Sequence, residues 1–281
     1  MHWRLATTKL DLAQPCLMGI VNLTPDSFSD GGLYNDPIAA LARINQLIEE
    51  GAGIIDLGAE STRPGAHPVA AREQLARLTP VLDRITALPA PLSIDTSEAE
   101  VIHRVAEHPC VGAINDVRAL SRPGAMEALA ATRLGVCVMH MQGSPHTMQD
   151  NPAYADVIAC VRAFLLARVR ACEQAGIAEE RICLDPGFGF GKALEHNLAL
   201  FHALGDFAAL GYPLLAGVSR KRMLGAIISN GVVGGSVDHS IDHTAASALA
   251  SALAARRGAH ILRVHDVAST SQALKLLDAL V

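Results

Sequence analysis

Eight short apolar runs in this chain each stop on a residue that can do chemistry. The first ends at Asn22, the second enters Glu60-Ser61-Thr62-Arg63, the third ends at Asp95-Thr96 and the fourth at Asn115-Asp116. The fifth ends at His140, the sixth at Asp185, the seventh at Ser219-Arg220-Lys221, and the eighth at Arg263 and His265. One apolar run that stops on a charge is simply surfacing. Eight in succession describe a rim that faces something polar and partly anionic.

The residue types narrow what that is. Arg63, Lys221, Arg263 and a protonated His265 suit a phosphate group, because guanidinium forks bind its oxygens in pairs and lysine adds a point charge. Asn22 with Asp30 offers hard oxygen ligands, suited to Mg²⁺ shared with phosphates rather than caged by protein. Asp95 and Asp185 can each accept paired N–H bonds, as from the guanidine-like edge of an amino-heterocycle.

The elements that must position these residues are legible in the periodicity. The apolar runs are Cys16–Val21, Gly53–Leu57, Pro91–Ile94, Val111–Ile114, Val136–Met139, Arg181–Leu184, Pro213–Gly217 and Ala259–Val264. Between them lie segments of helical period. Asp36-Pro37 reads as a helix N-cap and first position, with Ile38, Leu41, Ile44 and Leu47 on the face that follows. Val157–Cys172 and Ala268–Leu280 behave likewise. Eight βα units predict an α/β protein with one (βα)₈ TIM-barrel domain over residues 1–281, a fold that takes about 250 residues. Residues 1–14 are assigned to a cap on the barrel. An open doubly wound sheet would want G-x-G-x-x-G after the first run, where Asn22-Leu23-Thr24-Pro25 stands instead. In a barrel, chemistry is carried by the loops after the strands, which is where the polar rim lies.

Composition agrees with this and excludes other classes. Half the residues are hydrophobic but only 4% aromatic, which suits helices packed on a parallel sheet. The net charge of −5 and the lack of a basic stripe argue against nucleic-acid or anionic-membrane partners. No 18-residue apolar stretch and no signal-peptide core are present, so a cytoplasmic protein is expected. Cys16, Cys110, Cys137, Cys160, Cys172 and Cys183 contain no C-x-x-C pair and read as reduced thiols.

Weaker motifs are discounted. Gly187-Phe188-Gly189-Phe190-Gly191-Lys192 has the wrong spacing for a phosphate loop, and Ala193 stands where Ser or Thr would hold Mg²⁺. It is expected to be a flexible turn with Phe188 or Phe190 lining the pocket. His239 and His243 have metal-ligand spacing but no third ligand. Asp56, inside the second run, is expected to form a structural pair, and the glycine-rich segment Asn230–His239 a mobile loop.

Several longer segments carry a family resemblance. Met18-Gly19-Ile20-Val21-Asn22-Leu23-Thr24-Pro25-Asp26-Ser27-Phe28-Ser29-Asp30-Gly31-Gly32 and Asp56-Leu57-Gly58-Ala59-Glu60-Ser61-Thr62-Arg63-Pro64-Gly65 resemble the first two signatures of the dihydropteroate synthase family. Ser93-Ile94-Asp95-Thr96, Ile114-Asn115-Asp116, Met139-His140-Met141-Gln142-Gly143, Asp185 through Lys192, Ser219-Arg220-Lys221 and Arg263-Val264-His265-Asp266-Val267 follow in the same order. The resemblance covers nearly the whole chain.

It implies condensation of 6-hydroxymethyl-7,8-dihydropterin diphosphate with 4-aminobenzoate, releasing diphosphate and giving dihydropteroate. It also implies Mg²⁺ and a homodimer. Asp95, Asn115, Met139, Asp185, Phe190 and Lys221 would then hold the pterin, and Asn22, Arg63, Arg263 and His265 the diphosphate. Phe28, Ser61, Thr62, Arg63, Pro64, Phe190, Lys221 and Arg222 would surround the aminobenzoate, with Asn22 and Asp30 at the metal. Asp95, Asp185, Lys221, Arg263 and His265 are the catalytic candidates. Arg222 where many members have Ser, Ala59 for a common Gly, and an atypical Gly231–His243 segment depart from the pattern and bear on affinity and sulfonamide response. A methyltetrahydrofolate-binding module of a corrinoid methyltransferase would not need the diphosphate set Arg63, Arg263 and His265, nor Asp30 with Asn22; a silent pterin-binding paralogue would be marked by loss of Asp95, Lys221 or the first loop, all of which are present. A Schiff-base aldolase using Lys221 and a glycosidase using Asp95 and Asp185 are the remaining alternatives; the latter lacks aromatic sugar platforms, the single Trp being Trp3.

Overall fold

Strands and helices alternate through the computed structural model, which describes residues 1–24, 36–61, 65–229 and 243–280. An antiparallel hairpin, β1 (His2–Arg4) and β2 (Lys9–Asp11), comes first. The main strands are β3 (Cys16–Asn22), β4 (Ile54–Gly58), β5 (Leu92–Asp95), β6 (Val111–Asp116), β7 (Gly135–Met139), β8 (Ile182–Asp185), β9 (Leu215–Ala216) and β10 (Ile261–Val264). Between and after them lie α1 (Pro37–Glu49), α2 (Ala71–Leu82), α3 (Ala99–Val105), α4 (Ala125–Ala130), α5 (Val157–Gln174), α6 (Leu194–His202), α7 (Leu204–Ala208), α8 (Arg222–Ile228), α9 (His243–Arg256) and α10 (Val267–Leu280).

The eight main strands are all parallel and run in the order β8-β7-β6-β5-β4-β3-β10-β9. A parallel bridge between Leu184 and Leu214, with the Leu184 N–H donating to the Pro213 carbonyl at 2.8 Å, closes the ring. The expected (βα)₈ barrel is therefore the observed fold. The seventh run pairs over less of its length than its apolar character predicts. Register sets Asn22 beside Gly58, Gly58 beside Asp95, and Asp95 beside Asn115, so the ends of four strands share one level. That level is the floor of the site.

Asp36 caps α1 by accepting from the Ile38 N–H, and Pro37 takes the first helical position. The buried face is Ala40, Ile44 and Leu47, whereas Ile38 is 69% exposed. The expected face began one step too early, because repeated three-residue steps drift about 60° each around a helix of 3.6 residues per turn. From Leu47 back to Ile38 that drift reaches half a turn.

The opposite mouth of the barrel is plugged. Trp3, Leu5 and Leu12 from the hairpin region pack on Met18, Ile54, Ala113, Cys137, Cys183, Leu215 and Ile261. The Trp3 indole N–H donates to the Arg181 carbonyl at 2.9 Å, which satisfies its one polar atom in a dry setting. Arg181 ends a short 3₁₀ turn (Glu179–Arg181) rather than beginning a strand, and its buried guanidinium donates to the carbonyls of Leu134 and Leu129. All six cysteines are free thiols, with Cys137 and Cys183 acting as small fillers inside the barrel. Among the described residues no helix is long and apolar enough to cross a membrane.

Candidate active site

Asp56 lies deepest. It projects from β4 with no solvent exposure and accepts from Arg263 Nε at 2.7 Å and from Asn115 Nδ2 at 3.1 Å. The same guanidinium donates through Nη2 to Asp95 Oδ2 at 3.0 Å. One cation from β10 thus serves two carboxylates from β4 and β5, while the other Asp56 oxygen has no partner among the described residues. The expected structural pairing of Asp56 is observed, and its partners are two candidate site residues.

This arrangement leaves the floor electronegative. Burial raises the Asp95 carboxyl to about 7; Arg263 opposes the shift, while Asp56, Glu60 and Asp116 reinforce it. Burial likewise raises Asp185, against the Gly187 N–H, Lys221, Lys192 and Arg263. A dry cavity floored by carboxylates selects a ligand edge that donates several N–H bonds. The sign of the pH effect follows. A carboxyl raised above its ordinary value of about 3.9 contributes fully to folding below pH 4, and that contribution is lost as pH rises through about 7. Asp95→Asn, which mimics the protonated acid, should therefore match wild-type stability near pH 4 and exceed it near pH 8, by up to about 1.4 kcal/mol per pKa unit of the shift. Melting curves at the two pH values check this; a difference that does not vary with pH contradicts it.

Behind Asp95 a network ties the loops of β4, β5 and β6 together. Arg118 donates to Glu60 at 2.8 Å and to Ser97 at 3.2 Å. Ser97 donates to Asp116, and Thr96 donates to Gln74 at 2.7 Å. Asp116 also accepts from the backbone N–H groups of Arg118 and Leu120, fixing a turn in which Ala119 and Leu120 have positive φ. Sequence reasoning missed this network. Glu60 and Asp116 were visible as strand-end residues, but Arg118 lies 58 positions from its partner.

The loop after β8 forms one wall. Asp185 Oδ1 accepts from the Gly187 N–H at 2.7 Å, which orients the carboxylate. The Lys221 ammonium stands 4.1 Å from the centre of the Phe190 ring, a cation–π contact across the recess. The loop is not the loose turn expected from its glycines. Gln149 donates to the Gly189 carbonyl at 2.6 Å, Tyr154 to that of Gly191 at 2.7 Å, and the Gly189 N–H to Asn197 at 2.7 Å. Gly187 is required: at φ +73 a Cβ there would fall 1.9 Å from the His140 carbonyl oxygen.

Asp95, Asn115, Met139, Asp185, Phe190, Lys221 and Arg263 line one recess, together with Val117, Phe188 and Gly217. Asn22 stands half-buried at the end of β3, beside Gly58. His265 follows β10, with Nδ1 3.0 Å from Ser219 Oγ, and its carbonyl accepts from Arg43 at 2.8 Å. Ser61 is half-buried after β4, and Arg222 is exposed at the first position of α8, outside the recess lining. Phe28, Asp30, Thr62, Arg63, Pro64 and His239, and the segment 230–242, lie outside the described residues. A second hollow, between the hairpin loop and the ends of α3 and α4, includes His103, Glu107 and Arg133 and lies at the plugged end, away from this chemistry.

Comparison with known proteins agrees with the geometry. Residues 18–265 match the family described as pterin binding enzyme. The dihydropteroate synthase of Escherichia coli (strain K12) is 49% identical over 275 residues, covering 97% of this chain and 94% of that protein. The structure of Xanthomonas albilineans dihydropteroate synthase with 4-aminobenzoic acid superposes with a TM-score of 0.88 at 45% identity, covering 100% of this chain and 98% of that one. That of Burkholderia cenocepacia dihydropteroate synthase complexed with 7,8-dihydropteroate gives 0.86 at 43% identity, covering 99% and 96%. With the polar rim, the carboxylate floor and these relatives in agreement, the chain belongs to the pterin-binding enzyme family, among its dihydropteroate synthases.

Proposed function

We infer that this protein condenses 6-hydroxymethyl-7,8-dihydropterin diphosphate with 4-aminobenzoate, giving 7,8-dihydropteroate and diphosphate. The observation that carries the reading is the single Arg263 guanidinium shared by Asp56 and Asp95 beneath a recess shaped by Asn115, Asp185, Phe190 and Lys221. Asp185 and Asn115 hold the amino-pyrimidine edge of the pterin. Met139 and Phe190 cover its faces, and Lys221 reaches its oxygen or ring nitrogen.

In the reaction the amine nitrogen of 4-aminobenzoate bonds to the pterin methylene carbon as the bond from that carbon to the diphosphate oxygen breaks. The bonding pair leaves with diphosphate, and the proton lost by the amine passes to the departing diphosphate or to solvent. An aryl amine is neutral at pH 7, so the chain need not supply a base to activate it. The transition state is carbocation-like, its positive charge spread over the electron-rich pterin. An ionised Asp95 stabilises that charge, while Arg63, Arg263 and His265 receive the leaving anion. Phe28, Ser61, Thr62, Arg63, Pro64, Phe190, Lys221 and Arg222 form the aminobenzoate side.

The chemistry of Asn22 suits a metal shared with diphosphate. A Cβ on Gly58 would lie 3.3 Å from Asn22 Oδ1, so glycine leaves that amide oxygen open on one side. Among the described residues no three His, Cys, Asp or Glu side chains gather as a metal cage. One or two protein oxygens with the rest from diphosphate and water is the coordination Mg²⁺ favours. Asn22 and Asp30 would hold the ion, which would supply Lewis-acid charge to the departing diphosphate.

Two further assignments belong to this reading. Exposed Ile227 and Ile228 on α8, Leu249 and Leu253 on α9, and Leu276 and Leu280 on α10 lie on neighbouring helices and support a homodimer, which sedimentation velocity measures. Six free thiols support a cytoplasmic enzyme. The test of the function is diphosphate release on mixing the two substrates with Mg²⁺. Release that depends on both substrates and on the metal is expected; no release at micromolar enzyme overturns it.

A further inference from the structure

Lys192 is the one lysine buried among the described residues, at 3% exposure, and nothing in the reaction above uses it. Its ammonium has three protons and faces four acceptors: the Gly187 carbonyl at 2.8 Å, Phe190 carbonyl at 3.0 Å, His140 Nδ1 at 3.0 Å and His140 carbonyl at 3.3 Å. No donor is left for a ligand. The lysine that ends this glycine-rich loop therefore points back into the loop and not out towards a phosphate.

His140 suits that pairing. Burial and the neighbouring Lys192 lower its pKa to about 3, so the ring is neutral and Nδ1 accepts from the ammonium. Its orientation is set by an edge-on contact with Phe164 and a tilted one with Tyr154, whose hydroxyl holds the next loop carbonyl. Lys192 thus ties the end of β7 to both sides of the turn that carries Phe190. Phe190 in turn faces the Lys221 ammonium across the recess.

We infer that Lys192 is a positioning residue of the pterin slot, acting through Phe190 by gathering the Gly187, Phe190 and His140 carbonyls around one enclosed ammonium. This rests on the reading of the recess as a pterin site. Burial lowers the Lys192 pKa to about 7; Asp185 favours the ammonium and Lys221 opposes it, so near neutral pH the four acceptors are what hold the charged form.

The test uses the full-length protein and pterin itself, whose fluorescence reports binding without the diphosphate or catalysis. Lys192→Met should weaken pterin binding at least tenfold while the far-UV spectrum and cooperative melting are kept. Lys192→Gln, which keeps an amide donor one atom short of the ammonium, should lie between wild type and Met. In a Phe190→Ala background Lys192→Met should add less than twofold, because residues acting through one contact are not additive. Full additivity with Phe190→Ala, or wild-type affinity in a folded Met or Gln variant, overturns the inference. So does loss of the fold in both, which would make Lys192 a residue of global stability. Failure of wild type to bind pterin would instead strike the reading of the recess.

Discussion

Replacing Arg263 with methionine should lower both stability and activity more than any other single change in the barrel. The expected stability loss is about 3–5 kcal/mol, the range for removing one partner of a buried ion pair. Asp56 bears most of it: its side chain has no exposure, whereas the Arg263 side chain keeps 22% and Asp95 8%. Without the guanidinium, Asp56 keeps only the Asn115 amide as a partner among the described residues, and its second oxygen already lacks one.

On the activity side, the variant loses the group that orients Asp95 and, on the proposed reading, a cation for the leaving diphosphate. Loss of one preorganised electrostatic contact costs about 10²–10³ in rate. Lysine at this position should recover little, because one ammonium cannot span two carboxylates as the Nε and Nη2 fork does. Adding Asp56→Asn to Arg263→Met should restore much of the stability and none of the rate, which separates the two effects. Urea unfolding and diphosphate-release kinetics on the three variants give both numbers. A stability loss under 1 kcal/mol, or a rate within tenfold of wild type, would show that the shared guanidinium is not what holds the floor.

Much of this was legible in the chain because barrel strands are short, apolar and end where polarity begins. Asp95, Asn115, Asp185 and Arg263 each stood at or beside the end of such a run, and a parallel barrel brings those ends to one rim by register alone. Pairings between residues far apart in the chain were not legible. Arg263 is 207 residues from Asp56 and 168 from Asp95, and nothing local tells an arginine which carboxylates it will span. Side-chain direction in the glycine-rich loop was equally hidden. Alternating glycines read as looseness, yet their backbones present carbonyls inward to Lys192, Gln149 and Tyr154. Ile38 is exposed because three-residue steps drift half a turn from the face that Ile44 and Leu47 bury.

Asp185→Asn should lower kcat/KM for the pterin diphosphate by about 10²–10³ and leave the barrel at least as stable as before. The amide is isosteric, and its oxygen can still accept from the Gly187 N–H that Asp185 Oδ1 engages at 2.7 Å, so the loop after β8 keeps its shape. Burial already disfavours the ionised carboxylate, so neutralising it removes an unfavourable charge from the empty protein. The ligand sees the opposite. A carboxylate accepts two parallel N–H bonds from the amino-pyrimidine edge, whereas the amide offers one acceptor and sets an NH₂ against a second donor. That leaves a buried donor facing a donor, which costs more than a missing bond. The same substitution therefore moves stability and binding in different directions, as a charge kept for recognition rather than for folding should. Thermal melts and substrate-dependence curves measure the two sides. A wild-type kcat/KM would remove Asp185 from pterin recognition. A melting temperature lowered by more than about 5 °C would instead make its charge part of what folds the loop.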